Sequence, residues 1–137
     1  MFKESETLEL KKSTSELKEA IISIVAMLNK QQKGELYFGI RNDGIAVGQD
    51  VNEKTLREIS RAMSEHIEPK VYPKITEVLF DGNKCVYIAF SGENIPYYAF
   101  GRASMRVGDE DRQLSAYELE TLILLKNKDQ LRWDNII

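Results

Sequence analysis

The sequence predicts an α+β domain in which a mixed, mostly antiparallel sheet of hairpins is covered by helices. Two observations indicate this class. Short apolar and aromatic runs follow one another across Gly-containing turns, which is typical of hairpins. Three segments instead carry apolar residues at helical spacing. The predicted order is β-α-β-β-α-β-β-β-β-α, and so few helices among paired strands favour an α+β class.

The chain begins with a predicted strand and a helix. Leu8 and Leu10 alternate with charged residues, which gives the strand one apolar face. Ser13 and Glu16 have the spacing of a capping box. The apolar residues after it recur at i, i+3, i+4, i+7, i+8 and i+11, which predicts a helix with a core-facing stripe. The stripe consists of Leu17, Ala20, Ile21, Ile24, Val25 and Leu28.

A β-hairpin is predicted between Gly34 and Gly48. Two short apolar runs flank a polar Arg-Asn-Asp-Gly turn, in which Gly44 supplies the positive φ of a tight turn. Gly39 and Gly48 mark places where another backbone or a ligand can approach closely.

A second helix and a second hairpin follow. Asn52 can cap the helix, which Pro69 must end because proline cannot continue it. Residues 75–80 and 85–90 are β-rich runs around an Asp-Gly-Asn-Lys turn, so they are predicted to pair.

The last predicted elements are a third hairpin and a helix. Residues 97–100 and 103–107 form the hairpin, which turns where the sequence reads Gly-Arg. Ser115 and Glu118 form another capping box, from which the final helix is expected to reach about Lys126.

The composition indicates one domain. A chain of 137 residues with 42% apolar side chains can bury one core and is too short for two. The sequence has no run long enough for a membrane span and no apolar leader, so we expect a cytoplasmic protein without membrane partners. Cys85, the only cysteine, is expected to be a buried small hydrophobe.

The predicted domain covers residues 1–128, and residues 129–137 are expected to be a docking tail or the start of a linker to a further domain. This tail holds the only tryptophan, Trp133, which we expect to be buried against the domain or a partner.

The charge is weakly acidic but unevenly placed. The formal net charge is −3, and residues 108–125 hold five acidic residues against one arginine. The remainder is close to neutral and can present a basic surface if folding gathers its cations. The candidate nucleic-acid contacts are Lys11, Lys12, Lys30, Lys33, Arg41, Arg102 and Arg106.

Four motifs, taken together and in this order, carry a family resemblance across nearly the whole chain. They are an acid-x4-acid-x-Lys opening, an Ala-x-x-Asn, a Gly-x4-Gly hairpin and an Arg-Val-Gly strand. They are formed by Glu4, Glu9 and Lys11, by Ala26–Asn29, by Gly39–Gly44 and by Met105–Gly108. The chain thereby resembles the Schlafen/AlbA-like DNA-binding domain, found at the N-terminus of bacterial and archaeal regulators named as RecG-related helicases. Lys33-Gly34 replaces a glycine pair of the family, and Met105 replaces an aromatic residue.

The resemblance implies a possible nuclease site. In some Schlafen-type members two glutamates and an aspartate hold a divalent ion. The corresponding residues here are Glu4, Glu9 and Asn42, and Lys11 lies where its charge would neutralise a phosphate. An amide is a weaker ligand for Mg²⁺ or Mn²⁺ than a carboxylate, so we expect little or no cleavage. The alternative is that Glu4, Glu9 and Lys11 form the solvated side of an amphipathic strand.

Arg102 and Arg106 also have two interpretations. They can contact phosphates while neighbouring aromatic residues stack on unpaired bases. Alternatively, they pair with the carboxylates at 109–111. The aromatic residues in question are Tyr97, Tyr98 and Phe100.

Three function classes therefore remain. The resemblance favours a nucleic-acid-binding module of a transcriptional regulator or RecG-related helicase-like protein. We expect this module to bind DNA, to need no cofactor and to act as a homodimer. The second class is a metal-dependent nuclease acting on RNA, for which Mg²⁺ or Mn²⁺ would be required. The third is a protein-interaction or ligand-sensing domain.

Overall fold

The computed structural model describes residues 2–135, with the side chains of residues 2–127. The main elements of this part of the chain are β1 (Leu8–Lys11), α1 (Leu17–Gln31), β2 (Lys33–Phe38), α2 (Glu53–His66), β3 (Ile67–Glu68), β4 (Lys74–Phe80), β5 (Asn83–Ser91), β6 (Tyr98–Ala99), β7 (Ser104–Val107), β8 (Glu110–Gln113) and α3 (Ala116–Asn135).

A four-stranded sheet organises the fold, in the spatial order β1-β2-β5-β4. β1 pairs with β2 in parallel, and the other neighbours are antiparallel. Two small antiparallel ladders, β3 with β6 and β7 with β8, complete the strands of the described residues. The predicted α+β class, with its mixed and mostly antiparallel sheet, is confirmed.

Both faces of the sheet carry buried apolar side chains. On one face α1 and α2 pack over Leu36, Phe38 and Ile88. On the other face Leu10 and Cys85 form a smaller cluster, against which partly buried aromatic residues pack. Cys85 is a buried free thiol, as expected. Because both faces of the sheet are covered, the alternation of apolar and charged residues in β1 does not identify a solvent-exposed face.

The first predicted hairpin is only partly formed. After β2 the chain makes an isolated antiparallel bridge between Ile40 and Ala46 instead of a second strand. Gly39 and Gly48 adopt positive φ values of 100° and 76°. These two residues redirect the backbone, and the amide of Gly48 donates to the carbonyl of Gly39 at 2.9 Å.

The hairpin predicted at 97–107 is replaced by two pairings. β6 pairs with β3 rather than with β7, although a bridge joins Ala99 and Arg102 across the turn. β7 pairs with β8, whose four residues are all exposed and include three charged ones. The sequence did not predict β8 because an exposed, charged strand has no apolar alternation.

Two of the three predicted helix caps agree with the structure, and the last helix is longer than predicted. The third differs: Ser13 caps a short 3-10 turn (Thr14–Glu16) ahead of α1, and Glu16 accepts from the amide of Lys12 rather than of Ser13. Asn52 and Thr55 form a capping box at α2, and Ser115 and Glu118 bond reciprocally at α3. α3 continues to Asn135 because its sequence contains neither proline nor glycine. The predicted boundary at residue 128 therefore lies inside α3.

The prediction that Trp133 is buried concerns a side chain outside the described residues. Within residues 2–135, no helix combines the length and the apolar character that a membrane crossing requires.

Candidate functional site

The guanidinium of Arg106 lies at the centre of a buried polar cluster between β1, α1 and β7. The Arg106 side chain is 0% exposed. Its Nη1 donates to Glu9 Oε2 at 2.6 Å and to Asp111 Oδ1 at 2.8 Å. Nε and Nη2 donate to the carbonyl of Ser5, and Nη2 also donates to that of Leu8. All five N–H donors of this arginine are thus engaged.

Arg106 therefore does not face solvent, and this placement corrects the expectation that it contacts a phosphate. The alternative interpretation, pairing with a carboxylate at 109–111, matches the ion pair with Asp111. Burial lowers the pKa of Arg106, but its hydrogen bonds and charge interactions with Asp111 and Glu9 together have the larger effect. The pKa is therefore raised, and the side chain stays positively charged.

Glu4 and Glu9 act as one hydrogen-bonded pair. Burial raises the pKa of Glu4 to about 7, and a hydrogen bond to Glu9 and the charge of Glu9 add to the effect. Burial opposes ionisation of Glu9, but its hydrogen bonds with Glu4 and Arg106 prevail, and the pKa of Glu9 is lowered. Glu9 is thus the carboxylate, and it lies 3.7 Å from Lys11 Nζ. With Glu9 4% exposed, this acid is not on a solvated face.

Two buried polar residues of α1 extend the cluster. Ser23 Oγ donates to Asp111 Oδ2 at 2.5 Å, so both oxygens of Asp111 are engaged. Asn29 donates to the carbonyls of Tyr97 and Ser104 and accepts from the Tyr97 amide at 2.7 Å. α1 is in this way attached to the segment that carries β6 and β7.

Two adjoining hollows lie between α1 and the β7–β8 ladder and share Ile22 and Asp111. The Lys11 hollow has a volume of about 470 Å³ and is acidic, since Glu19 and Glu110 also line it. The Phe100 hollow has a volume of about 310 Å³. Its lining residues are Lys18, Ile22, Ala99, Phe100, Arg102, Ser104, Asp111 and Gln113.

The Phe100 hollow is the basic end of this region. Arg102 is exposed and donates to the neutral Gln113 Oε1 at 3.3 Å. Lys18 is exposed, and its Nζ lies 5.6 Å from the centroid of the Phe100 ring. The carboxylate of the hollow, Asp111, is already paired with Arg106. The charge available to an incoming ligand is therefore positive.

The other predicted cations lie in separate places. Lys12 and Arg41 line a groove of about 500 Å³ together with Asn42, and Arg41 is paired with Asp43 at 2.5 Å. Lys30 and Lys33 are exposed near the C-terminal end of α1. That end is roughly 20 Å from the beginning of the 15-residue helix, at 1.5 Å rise per residue. The basic residues thus form three patches rather than one stripe.

The predicted metal ligands are not presented as a set. Asn42 lines the groove with Lys12 and Arg41, whereas Glu9 is held by Arg106 and the pKa of Glu4 is raised by burial and by Glu9. Among the described side chains, no group of three or more His, Cys, Asp or Glu residues is placed to hold a metal ion. Glu4, Glu9 and Asn42 therefore do not fit a divalent ion in this arrangement.

The three aromatic residues singled out for base stacking differ in accessibility. Tyr97 is a core residue, 1% exposed, and Tyr98 and Phe100 are partly buried. Lys18 was missed as a candidate contact. The available signal was its position four residues before Ile22, which places both on one face of a helix.

Comparisons with known proteins agree with this fold. The family model described as Schlafen, AlbA_2 matches residues 4–115. The DIP2311 protein from Corynebacterium diphtheriae has a similar structure, with a TM-score of 0.65 and 16% identity over 80% of this chain. The match covers only 22% of that protein's chain. No curated protein shows a significant match.

A second similar structure is the N-terminal domain of an ATP-dependent DNA helicase RecG-related protein from Nitrosomonas europaea. It has a TM-score of 0.54 and 16% identity, and the match covers 85% of this chain and 82% of that domain. The model match spans most of the chain, and the motifs that it includes lie at β1, on α1, in the loop after β2 and at β7 of one fold. The chain belongs to the Schlafen, AlbA_2 family.

Proposed function

We propose that this domain is a nucleic-acid-binding module, that it binds DNA, and that it serves a larger cytoplasmic regulatory protein. Family membership and the similarity to a RecG-related N-terminal domain support a nucleic-acid-related role. The observation that carries the proposal is the Phe100 hollow. Lys18 and Arg102 flank it, and Arg106 neutralises Asp111 from below, so the hollow attracts an anion.

The proposed contact surface has a primary patch and two secondary ones. Lys18 and Arg102 form the primary patch, because both line one hollow whose carboxylate, Asp111, is paired with Arg106. Lys12 with Arg41, and Lys30 with Lys33, are proposed as weaker phosphate contacts. A protein of net charge −3 that uses so few contacts should bind in the micromolar range at low salt and lose affinity as salt is added.

Salt-dependent binding of a fluorescent oligonucleotide tests this proposal. The logarithm of the association constant should fall linearly with the logarithm of salt concentration, because each phosphate contact releases counterions. The Lys18→Ala/Arg102→Ala variant should reduce the slope by about 1.5 to 2 units. Lys54→Ala/Arg57→Ala on α2 removes the same charge elsewhere and is the control.

The two variants separate a local patch from a general charge effect. Equal changes in slope for both would contradict a binding surface at the Phe100 hollow. Lys30→Ala/Lys33→Ala reports whether the distant patch contributes. Competition with RNA of the same sequence tests the preference for DNA, and sedimentation with and without DNA tests the proposed homodimer.

A further inference from the structure

The Phe100 hollow combines features that a phosphate site alone does not need. Its walls include an aromatic ring and the aliphatic Ile22, while Ser104 and Gln113 supply hydrogen-bonding groups. A volume of about 310 Å³ lies at the lower end of the range of small-ligand pockets. These dimensions suit one planar heterocycle rather than a duplex backbone.

The backbone at Phe100 is unusual for a residue of this type. Phe100 and Gly101 have φ values of 52° and 77°, and the amide and carbonyl groups of Ala99 and Arg102 bond across them at 2.8 and 3.0 Å. Two-residue turns with positive φ at both positions favour Asn or Gly, and a bulky residue there is an outlier. Such strain is a reason to look for a function of the side chain.

Neighbouring groups hold the Phe100 ring in place. The His66 ring stacks on it with centroids 4.6 Å apart and planes inclined by 28°. The Phe100 amide donates to the carbonyl of His66 at 3.0 Å. A ring supported in this way, at a hollow flanked by Lys18 and Arg102, resembles the combination of stacking and charge that single-strand binders use.

We propose that the Phe100 hollow takes one unstacked base of a single-stranded nucleic acid. The base packs against Phe100 and Ile22, and Lys18 and Arg102 contact the adjacent phosphates. Lys18 has a long, exposed side chain that can move from the ring to a phosphate. This inference rests on the proposed function and adds a preference for single strands, because a base inside a duplex cannot reach the hollow.

The test compares two oligonucleotides with the same number of phosphates, one intact and one with abasic sites throughout. Binding is measured by fluorescence anisotropy at low salt. The native chain should bind the intact strand about 5- to 150-fold more tightly, which is the range for stacking of one base. It should also prefer the intact single strand to the corresponding duplex.

Phe100→Leu should bring the intact-to-abasic ratio close to one, because it keeps an apolar side chain but removes the ring. Phe100→Tyr should retain the ratio. Tyr72→Ala removes an aromatic side chain that is 91% exposed and does not line the hollow, so it is the matched control. Urea midpoints of all variants confirm that they are folded.

The outcomes distinguish this inference from the proposed function. Binding that is equal for intact and abasic strands in the native chain would overturn the base pocket and leave phosphate binding intact. An equal loss of affinity for both strands in Phe100→Leu would show that the ring is structural and would also overturn the pocket. A folded native chain that binds neither strand would overturn both proposals.

Discussion

Arg106 Nη1 donates to Glu9 Oε2 at 2.6 Å across 97 residues of sequence, and both side chains are buried. This contact joins the edge strand β1 to β7, beneath α1. Since a buried ion must be matched by an opposite charge, each partner makes the other tolerable in the interior. The pair therefore adds a second constraint on the position of β1, besides its backbone pairing with β2.

Arg106→Ala should destabilise the fold by about 3 to 5 kcal/mol, because it leaves Glu9 as an uncompensated buried carboxylate and removes the ion pair of Asp111. Arg106→Lys should recover only part of this loss, since an ammonium cannot reproduce five donors in a fixed plane. Urea denaturation measures both. Arg102→Ala, at an exposed arginine, should change stability by no more than about 0.5 kcal/mol. Similar midpoints for the two alanine variants would contradict the structural role of Arg106.

The Glu4–Glu9 pair predicts a pH dependence with a definite sign. The pKa of Glu4 is raised from 4.5 to about 7, so the folded state keeps a proton that the unfolded chain releases. This stabilising contribution is complete below pH 4.5 and is lost as pH rises to about 7. The pKa of Glu9 is lowered, so its contribution is present above 4.5 and is lost as pH falls below that value.

Glu4→Gln should therefore flatten the loss of stability between about pH 4.5 and 7, because the amide keeps a donor for Glu9 and an acceptor for the Leu10 amide. Urea midpoints across this range measure the effect. Glu6→Gln, a neighbouring substitution of the same charge, is the control. An unchanged pH profile in Glu4→Gln would contradict the raised pKa of Glu4.

Introducing a charge at Asn29 should destabilise the fold more than shortening its side chain does. Its amide nitrogen donates to two carbonyls, those of Tyr97 and Ser104. Asn29→Ala should cost about 2 to 4 kcal/mol, since it leaves buried groups without partners. Asn29→Asp should cost more, because a carboxylate would face those two carbonyls. Chemical denaturation with the exposed Lys30→Ala as control checks this, and equal stability of the Asp and Asn forms would contradict it.

Divalent ions should stabilise the native chain very little. Glu9 is held by Arg106 and Asn42 lines a different groove, so millimolar Mg²⁺ or Mn²⁺ should leave the thermal midpoint unchanged. A matching nuclease assay on single-stranded RNA should show no metal-dependent cleavage. A clear rise in the midpoint, abolished by Glu4→Gln, would instead support the nuclease alternative. The Asn42→Asp variant tests whether a carboxylate in the groove with Lys12 and Arg41 confers metal binding.

Sequence patterns predicted the elements that are determined by residues close together along the chain. The β4–β5 hairpin, the Asn52 cap and the Ser115 cap follow from neighbouring residues, and all are present. β8 escaped prediction because every residue in it is exposed. Its register nevertheless places Asp111 opposite Arg106.

The candidate site was harder to predict from the sequence than the fold. The alternation of β1 correctly separates Glu9 from Leu10, but both sides of the strand are covered, so polarity did not indicate exposure. For Arg106 the sequence left phosphate contact and pairing with the carboxylates at 109–111 open, and it gave no sign of burial because its partners Ser5, Leu8 and Glu9 are distant in sequence. The Phe100 hollow likewise requires α1 and β8 to meet, which no local pattern specifies.

The contacts of Arg106 also order the events of synthesis. Within the domain, its partners at Ser5, Leu8 and Glu9 leave the ribosome before Arg106 and Asp111, which follow about a hundred residues later. Until then the carboxylate of Glu9 lacks the guanidinium of Arg106, and β1 has its backbone pairing with β2 without this ion pair. β1 is thus among the last strands of this domain to acquire its full set of native contacts, and the nascent chain must keep it available until β7 has been made.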